Sequence, residues 1–165
     1  MGRRKILLII LLLVPLAVPV AQPLRISVSQ SNQSVDFEIT LNDVIGGAGT
    51  DVAAWFYSAI DEKELDIRNP DDNWRVDVRR SDTTWHSELQ IALLRTGDGT
   101  GSGTLTGGDV DYVIVTTTDT EFFTGTGGDA RNVPVQFRLR GSIGTYSIPA
   151  GSYVTTIVYT VSDGL

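Results

Sequence analysis

Val135-Gln136-Phe137-Arg138-Leu139-Arg140-Gly141 decides the fold. Apolar Val135, Phe137 and Leu139 alternate with polar Gln136, Arg138 and Arg140, and a glycine ends the run. Successive side chains of a strand point to opposite faces, so a period of two predicts a strand with one face on a core. The pattern recurs outward from this stretch. Leu24, Ile26 and Val28 alternate with Arg25, Ser27 and Ser29. Val35, Phe37, Ile39 and Leu41 alternate with Asp36, Glu38, Thr40 and Asn42, and Trp74, Val76 and Val78 with Arg75, Asp77 and Arg79. Trp85, Leu89, Ile91 and Leu93 share the parity of a longer strand, and Leu65-Asp66-Ile67 is a short one. Val110 to Val115 alternates little, which predicts a strand buried on both faces.

Turn chemistry separates these runs: Ser31 to Ser34, Gly46 to Gly49, Asn69 to Asn73, Gly97 to Asp109, Gly125 to Gly128, and Ile148 to Gly151. Strands of this kind, with turns every roughly 8–12 residues and no helical pattern, predict an all-β antiparallel sandwich of about seven to nine strands. The last strand, Tyr153 to Val161, is apolar on both faces. It is either central or covered by a partner.

Gly2-Arg3-Arg4-Lys5 is basic, Ile6 to Val14 is an unbroken apolar run, and Pro15 to Ala21 brings prolines and small residues. That order predicts a signal peptide over residues 1–22, with residues 23–165 as one domain. The run is shorter than the roughly 20 apolar residues of a membrane helix, so no membrane span is expected after cleavage. The expected location is secreted or cell surface. The chain has no cysteine, so it relies on packing rather than on the disulfides common in small exported domains. Its formal charge is −7, and losing the three charges of Arg3, Arg4 and Lys5 leaves about −10. Nucleic acid and anionic lipid reward basic surface and are not expected partners.

Three stretches at the C-terminal end have a family likeness. Val135 to Gly141, then Ile148-Pro149-Ala150-Gly151-Ser152-Tyr153, then Thr155-Thr156-Ile157-Val158-Tyr159-Thr160-Val161 resemble the end of spore coat protein U-like and archaic chaperone-usher pilin domains. The resemblance implies a secreted immunoglobulin-like sandwich that builds coats or fibres, with a neighbouring subunit's strand completing each pilin. It implies no catalytic residue. This chain departs from the family in lacking its disulfide cysteines.

His86 is the single histidine, which excludes a multi-histidine metal site, and its parity with Glu88 and Gln90 turns it to solvent. No catalytic constellation is present, and no enzyme or cofactor is expected. Asp98, Asp109 and Asp111 flank the glycine loop Thr96 to Gly103 and are the candidate calcium ligands. Calcium needs 6–8 oxygens, but neither EF-hand spacing nor a glycine-aspartate repeat is present, and a flexible hairpin loop is the plainer reading. Trp55, Trp74, Trp85 and Tyr57 suit sugar stacking, although aromatic residues on strands more often serve the core. Asp61-Glu62-Lys63-Glu64 reads as a solvated turn, too exposed for Lys63 to form an isopeptide crosslink. Asn32-Gln33-Ser34 matches a glycosylation triplet.

The expected function is that of a non-catalytic structural or adhesive surface protein. The alternative is an extracellular module binding carbohydrate or calcium. Leu24, Ile26 and Val28 form the expected handle for self-association through an edge strand, by donation to a neighbour. The short Ser31–Ser34 turn favours closure within the chain as a local hairpin.

Overall fold

The computed structural model describes residues 23–29, 34–40, 55–70, 72–141 and 148–164. The expected signal peptide, the Gly46–Gly49 turn and Asn32-Gln33 of the glycosylation triplet lie outside the described residues. The strands are β1 (Arg25–Val28), β2 (Phe56–Tyr57), β3 (Lys63–Arg68), β4 (Asn73–Asp82), β5 (Leu89–Arg95), β6 (Thr100–Gly101), β7 (Thr104–Thr106), β8 (Val113–Ile114), β9 (Thr120–Thr126), β10 (Ala130–Gly141) and β11 (Thr155–Asp163). No helix occurs among the described residues.

All pairings are antiparallel. The larger sheet runs β1-β3-β10-β5-β8, with β2 and β6 also on β10, and the smaller runs β11-β4-β9-β7. β10 organises the larger sheet. Its first part pairs with β3 and β6, and its second part with β2 and β5. Its alternation does what the sequence predicts: Val133, Val135, Phe137 and Leu139 are buried, and the polar residues between them are not. Trp74, Val76 and Val78 of β4 answer from the smaller sheet, and both sets belong to one core cluster. The fold is all-β and sandwich-like.

Two bulges adapt the ladders. Val76 pairs with Phe123 but Asp77 pairs with Glu121, so an extra residue sits in β9. A bulge lets two consecutive side chains leave strict alternation, and Phe122 and Phe123 are both buried. A second register shift lies between Ala130 and Val133, where Asn132 takes a φ of 50°. Gly125 lies opposite Trp74, and a Cβ there would stand 2.1 Å from the indole. Only a glycine leaves room for that ring at this position.

Several expectations are corrected. Lys63 is not in a solvated turn: it opens β3 on the inward parity of Leu65 and Ile67, pairs in register with Val135, is 5% exposed and meets Glu62 at 3.3 Å. Residues 34–40 form no strand, although Val35 and Phe37 pack against the core. The parity shared by Trp85 and Leu89 does not mark one strand. Residues 83–88 carry the chain from the smaller sheet to the larger. Of Val110 to Val115 only Val113 and Ile114 form a strand, opposite Leu93 and Ala92, with the Val115 amide donating to the Ile91 carbonyl at 2.9 Å; Val110 is exposed. The N-terminal strand forms no local hairpin. β1 pairs with β3 of its own chain, Arg25 opposite Arg68 through Val28 opposite Leu65.

Candidate functional site

The glycine loop is an anchored crossover between sheets. β6 pairs with β10 and β7 with β9, and the amides of Ser102 and Gly103 both donate to the Asp129 carbonyl at 3.0 Å. A Cβ on Gly101 would lie 2.1 Å from that same carbonyl, at a φ of 127° that favours glycine. The close approach needs glycine, so flexibility is not the reason for it.

Asp98 and Asp109 converge on Arg95. Arg95 follows Ile91 and Leu93 on the inward parity of β5 and is 2% exposed. Its Nε donates to the Gly107 carbonyl at 2.9 Å and its Nη1 to the Gly97 carbonyl at 3.1 Å. Nη1 also meets Asp98, and Nη2 lies 3.4 Å from Asp109. The guanidinium stands 5.8 Å from the Phe123 ring centroid. Two of the three calcium candidates are therefore already paired with a cation. Asp111 is exposed and does not join them, and among the described residues no group of three or more acidic or histidine side chains could hold a metal ion.

Where β3 meets the start of β10, two carboxylates, Asp66 on β3 and Asp129 just before β10, hold the tight backbone. The Asn132 amide donates to Asp66 at 2.9 Å, and the Asn69 amide, at a φ of 56°, donates to Asp129 at 2.9 Å. Burial pulls the Asp66 carboxyl upward, but the Asn132 amide and the Arg68 guanidinium outweigh it and hold it below the ordinary range. Arg131, then the Asn69 amide, hold Asp129 low as well.

The outer face of the larger sheet carries an unexpected assembly. The Arg138 guanidinium lies 3.9 Å from the Trp55 ring centroid and 3.9 Å from that of Tyr112. Arg140 lies 4.5 Å from Trp55, and its Nε donates to Gln90 at 3.0 Å. Tyr57 pairs with Arg138 across the ladder and meets Tyr112 edge-on at 6.0 Å. The Tyr112 hydroxyl donates to Gln136 at 2.5 Å, and the Gln136 amide donates to the Ser58 carbonyl at 3.1 Å. Burial, then Tyr57, push the Tyr112 hydroxyl above its ordinary value against the pull of Arg138, so it remains a neutral donor. Ala92, on this outward parity, is fully buried.

Sequence reasoning placed Trp55 and Tyr57 among the stacking candidates but missed Tyr112, Arg138 and Arg140 as their partners. The other candidates are elsewhere. Trp74 is wholly buried, and Trp85 donates its indole N–H to the Leu89 carbonyl at 3.0 Å. His86 is half-buried beside Tyr153, and its Nδ1 accepts the Glu88 amide at 3.2 Å, so it does not stand on a strand facing solvent. Ile26 and Val28 of β1, with Leu24 just before it, are partly buried against the core. A search of family models, of curated protein sequences and of solved structures found no match to the chain.

Proposed function

We propose that the chain is a secreted, non-catalytic structural or adhesive surface protein with an immunoglobulin-like topology, assembled from copies of itself. The observation that carries this reading is the margin of the smaller sheet. β11 pairs only with β4 among the described residues. Ile157, Tyr159 and Val161 turn toward the core yet are only partly buried, and Val158 on the other face is also half-buried. A nine-residue strand at a margin, apolar at Ile157, Val158, Tyr159 and Val161, is a template for a further strand. β1, with Ile26 and Val28, bounds the larger sheet and touches β11. The leader-like residues 1–22, the acidic composition and the likeness of the C-terminal end to coat and pilin domains support the same reading.

The test is sedimentation velocity across a wide concentration range, comparing the wild type with Val158→Lys. A charge on the margin strand should dissociate concentration-dependent oligomers. A wild type that stays monomeric at the highest concentration refutes assembly through this margin. A second reading, a binding module, is favoured by the stacked arginines on the other sheet.

A further inference from the structure

The ion-pair pattern of the molecule singles out one place. Of 13 basic residues, Arg3, Arg4 and Lys5 lie outside the described residues, which leaves ten. Lys63, Arg68, Arg75, Arg79, Arg80, Arg95 and Arg131 each meet a carboxylate. Arg25, Arg138 and Arg140 meet none among the described residues. Arg25 stands alone on an exposed part of β1. Arg138 and Arg140 stand side by side on the outward face of β10, roughly 7 Å apart along the strand, in a protein with a large excess of carboxylates.

Their setting fixes their orientation. Arg138 is held between Trp55 and Tyr112, and Arg140 rests on Trp55 with its Nε on Gln90. The Arg138 Nε is buried without a hydrogen-bond partner and the Arg140 Nε is taken by Gln90, so the terminal Nη groups are the donors left to match a carboxylate. Little side-chain entropy remains to be lost on binding. Tyr57, 56% exposed, borders the pair with an open aromatic surface, and Ile114, 46% exposed, lies on the same row beyond Ala92.

We infer that this face binds an acidic polysaccharide, with Arg138 and Arg140 taking uronate carboxylates and the Tyr57 ring lying against a sugar. The choice of glycan over acidic peptide rests on position. A peptide in extended or helical form is held through main-chain pairing at a sheet margin or in a groove, and an acidic peptide held by arginines alone is the case that poly-glutamate tests. β10 and β5 are interior strands of their sheet, so their face offers only side chains: guanidinium edges, amides and a ring. That set suits hydroxyls, carboxylates and the apolar face of a pyranose. The inference stands apart from the assembly reading, because glycan binding is measured on a different face and by a different assay.

The test is affinity electrophoresis and titration calorimetry of the purified protein with polygalacturonate, with dextran and poly-glutamate as comparators. Polygalacturonate should bind and weaken with added salt, while dextran should not bind. Arg140→Gln should weaken binding about tenfold, as expected for the loss of one charge-assisted contact. Arg138→Gln should do the same, provided its thermal transition shows it folded. Arg25→Gln, which removes the same charge from a distant strand, should bind as the wild type does. The inference is overturned if polygalacturonate fails to bind. It is equally overturned if Arg140→Gln binds unchanged, if Arg25→Gln loses as much, or if dextran or poly-glutamate binds as tightly.

Discussion

Replacing Arg95 by methionine tests what holds the crossover loop. The side chain is buried, and it donates to two loop carbonyls, Gly97 and Gly107, while touching Asp98 and Asp109. Methionine keeps much of the apolar stem and strands no buried charge, because the side chains of Asp98 and Asp109 are 77% and 48% exposed. The severe penalty for orphaning one partner of a buried pair therefore does not apply. What is lost is two charged hydrogen bonds to loop carbonyls, each worth about 1.5–3 kcal/mol, and a weaker one to the exposed Asp98, less what the new apolar contact on Phe123 restores. The expected cost is about 2–4 kcal/mol, a large part of the stability of an ordinary domain. Asp98→Asn removes only an exposed ion-pair partner and should cost about 0–1 kcal/mol. Urea unfolding followed by tryptophan fluorescence gives both numbers. With a slope of about 2 kcal/mol per molar, Arg95→Met should lower the midpoint by roughly 1–2 M. Equal midpoints for Arg95→Met and wild type refute the anchoring role. Equal losses for the two variants would show that charge pairing, rather than the carbonyl contacts, fixes the loop.

Other expectations follow from the same packing. Gly125→Ala should destabilise by about 1–3 kcal/mol through overpacking against Trp74, and a thermal transition unchanged from wild type would contradict the close indole contact. The Tyr159 hydroxyl is buried with no partner among the described residues, and burial pushes its ionisation upward. Tyr159→Phe removes that unsatisfied group and should leave stability unchanged or raise it by up to about 2 kcal/mol; a clear loss would mean the hydroxyl is satisfied. Asp66 and Asp129 are both held low, so their contribution is complete above about pH 4 and is lost as pH falls through their folded values. Asp66→Asn and Asp129→Asn should each flatten the acid limb of a stability–pH curve, and curves parallel to wild type would oppose this.

Alternation made β1, β4 and β10 readable, because each has one face on the core and a side-chain period of two. The same rule held a signal that went unused. Arg95 follows Ile91 and Leu93 at the inward spacing, so a buried arginine was legible at the end of that strand. Lys63 was hidden by its acidic neighbours: Glu62 and Glu64 look like a solvated turn until register sets Lys63 opposite Val135. The bulge that buries Phe122 beside Phe123 has no local mark, since it depends on where β4 meets β9. The stacked arginine face was least legible. Trp55, Tyr112, Arg138 and Arg140 come from separate parts of the chain, and only the ladders through β10 bring them together. Arg138 does point outward as its parity demands, but outward here means between two rings rather than into water.

The place of β10 in its sheet also sets an order in time. β2, β3, β5 and β6 all precede it in the chain and all wait for it as their hydrogen-bonding neighbour. Until Ala130 to Gly141 has left the ribosome, the larger sheet lacks its middle, and β1 and β3 can form only a two-stranded ribbon, marginal in water. Distant pairings of this kind make folding slow and late. A nascent chain ending before residue 130 should remain protease-sensitive, and acquisition of structure should be abrupt once β10 and β11 are both available.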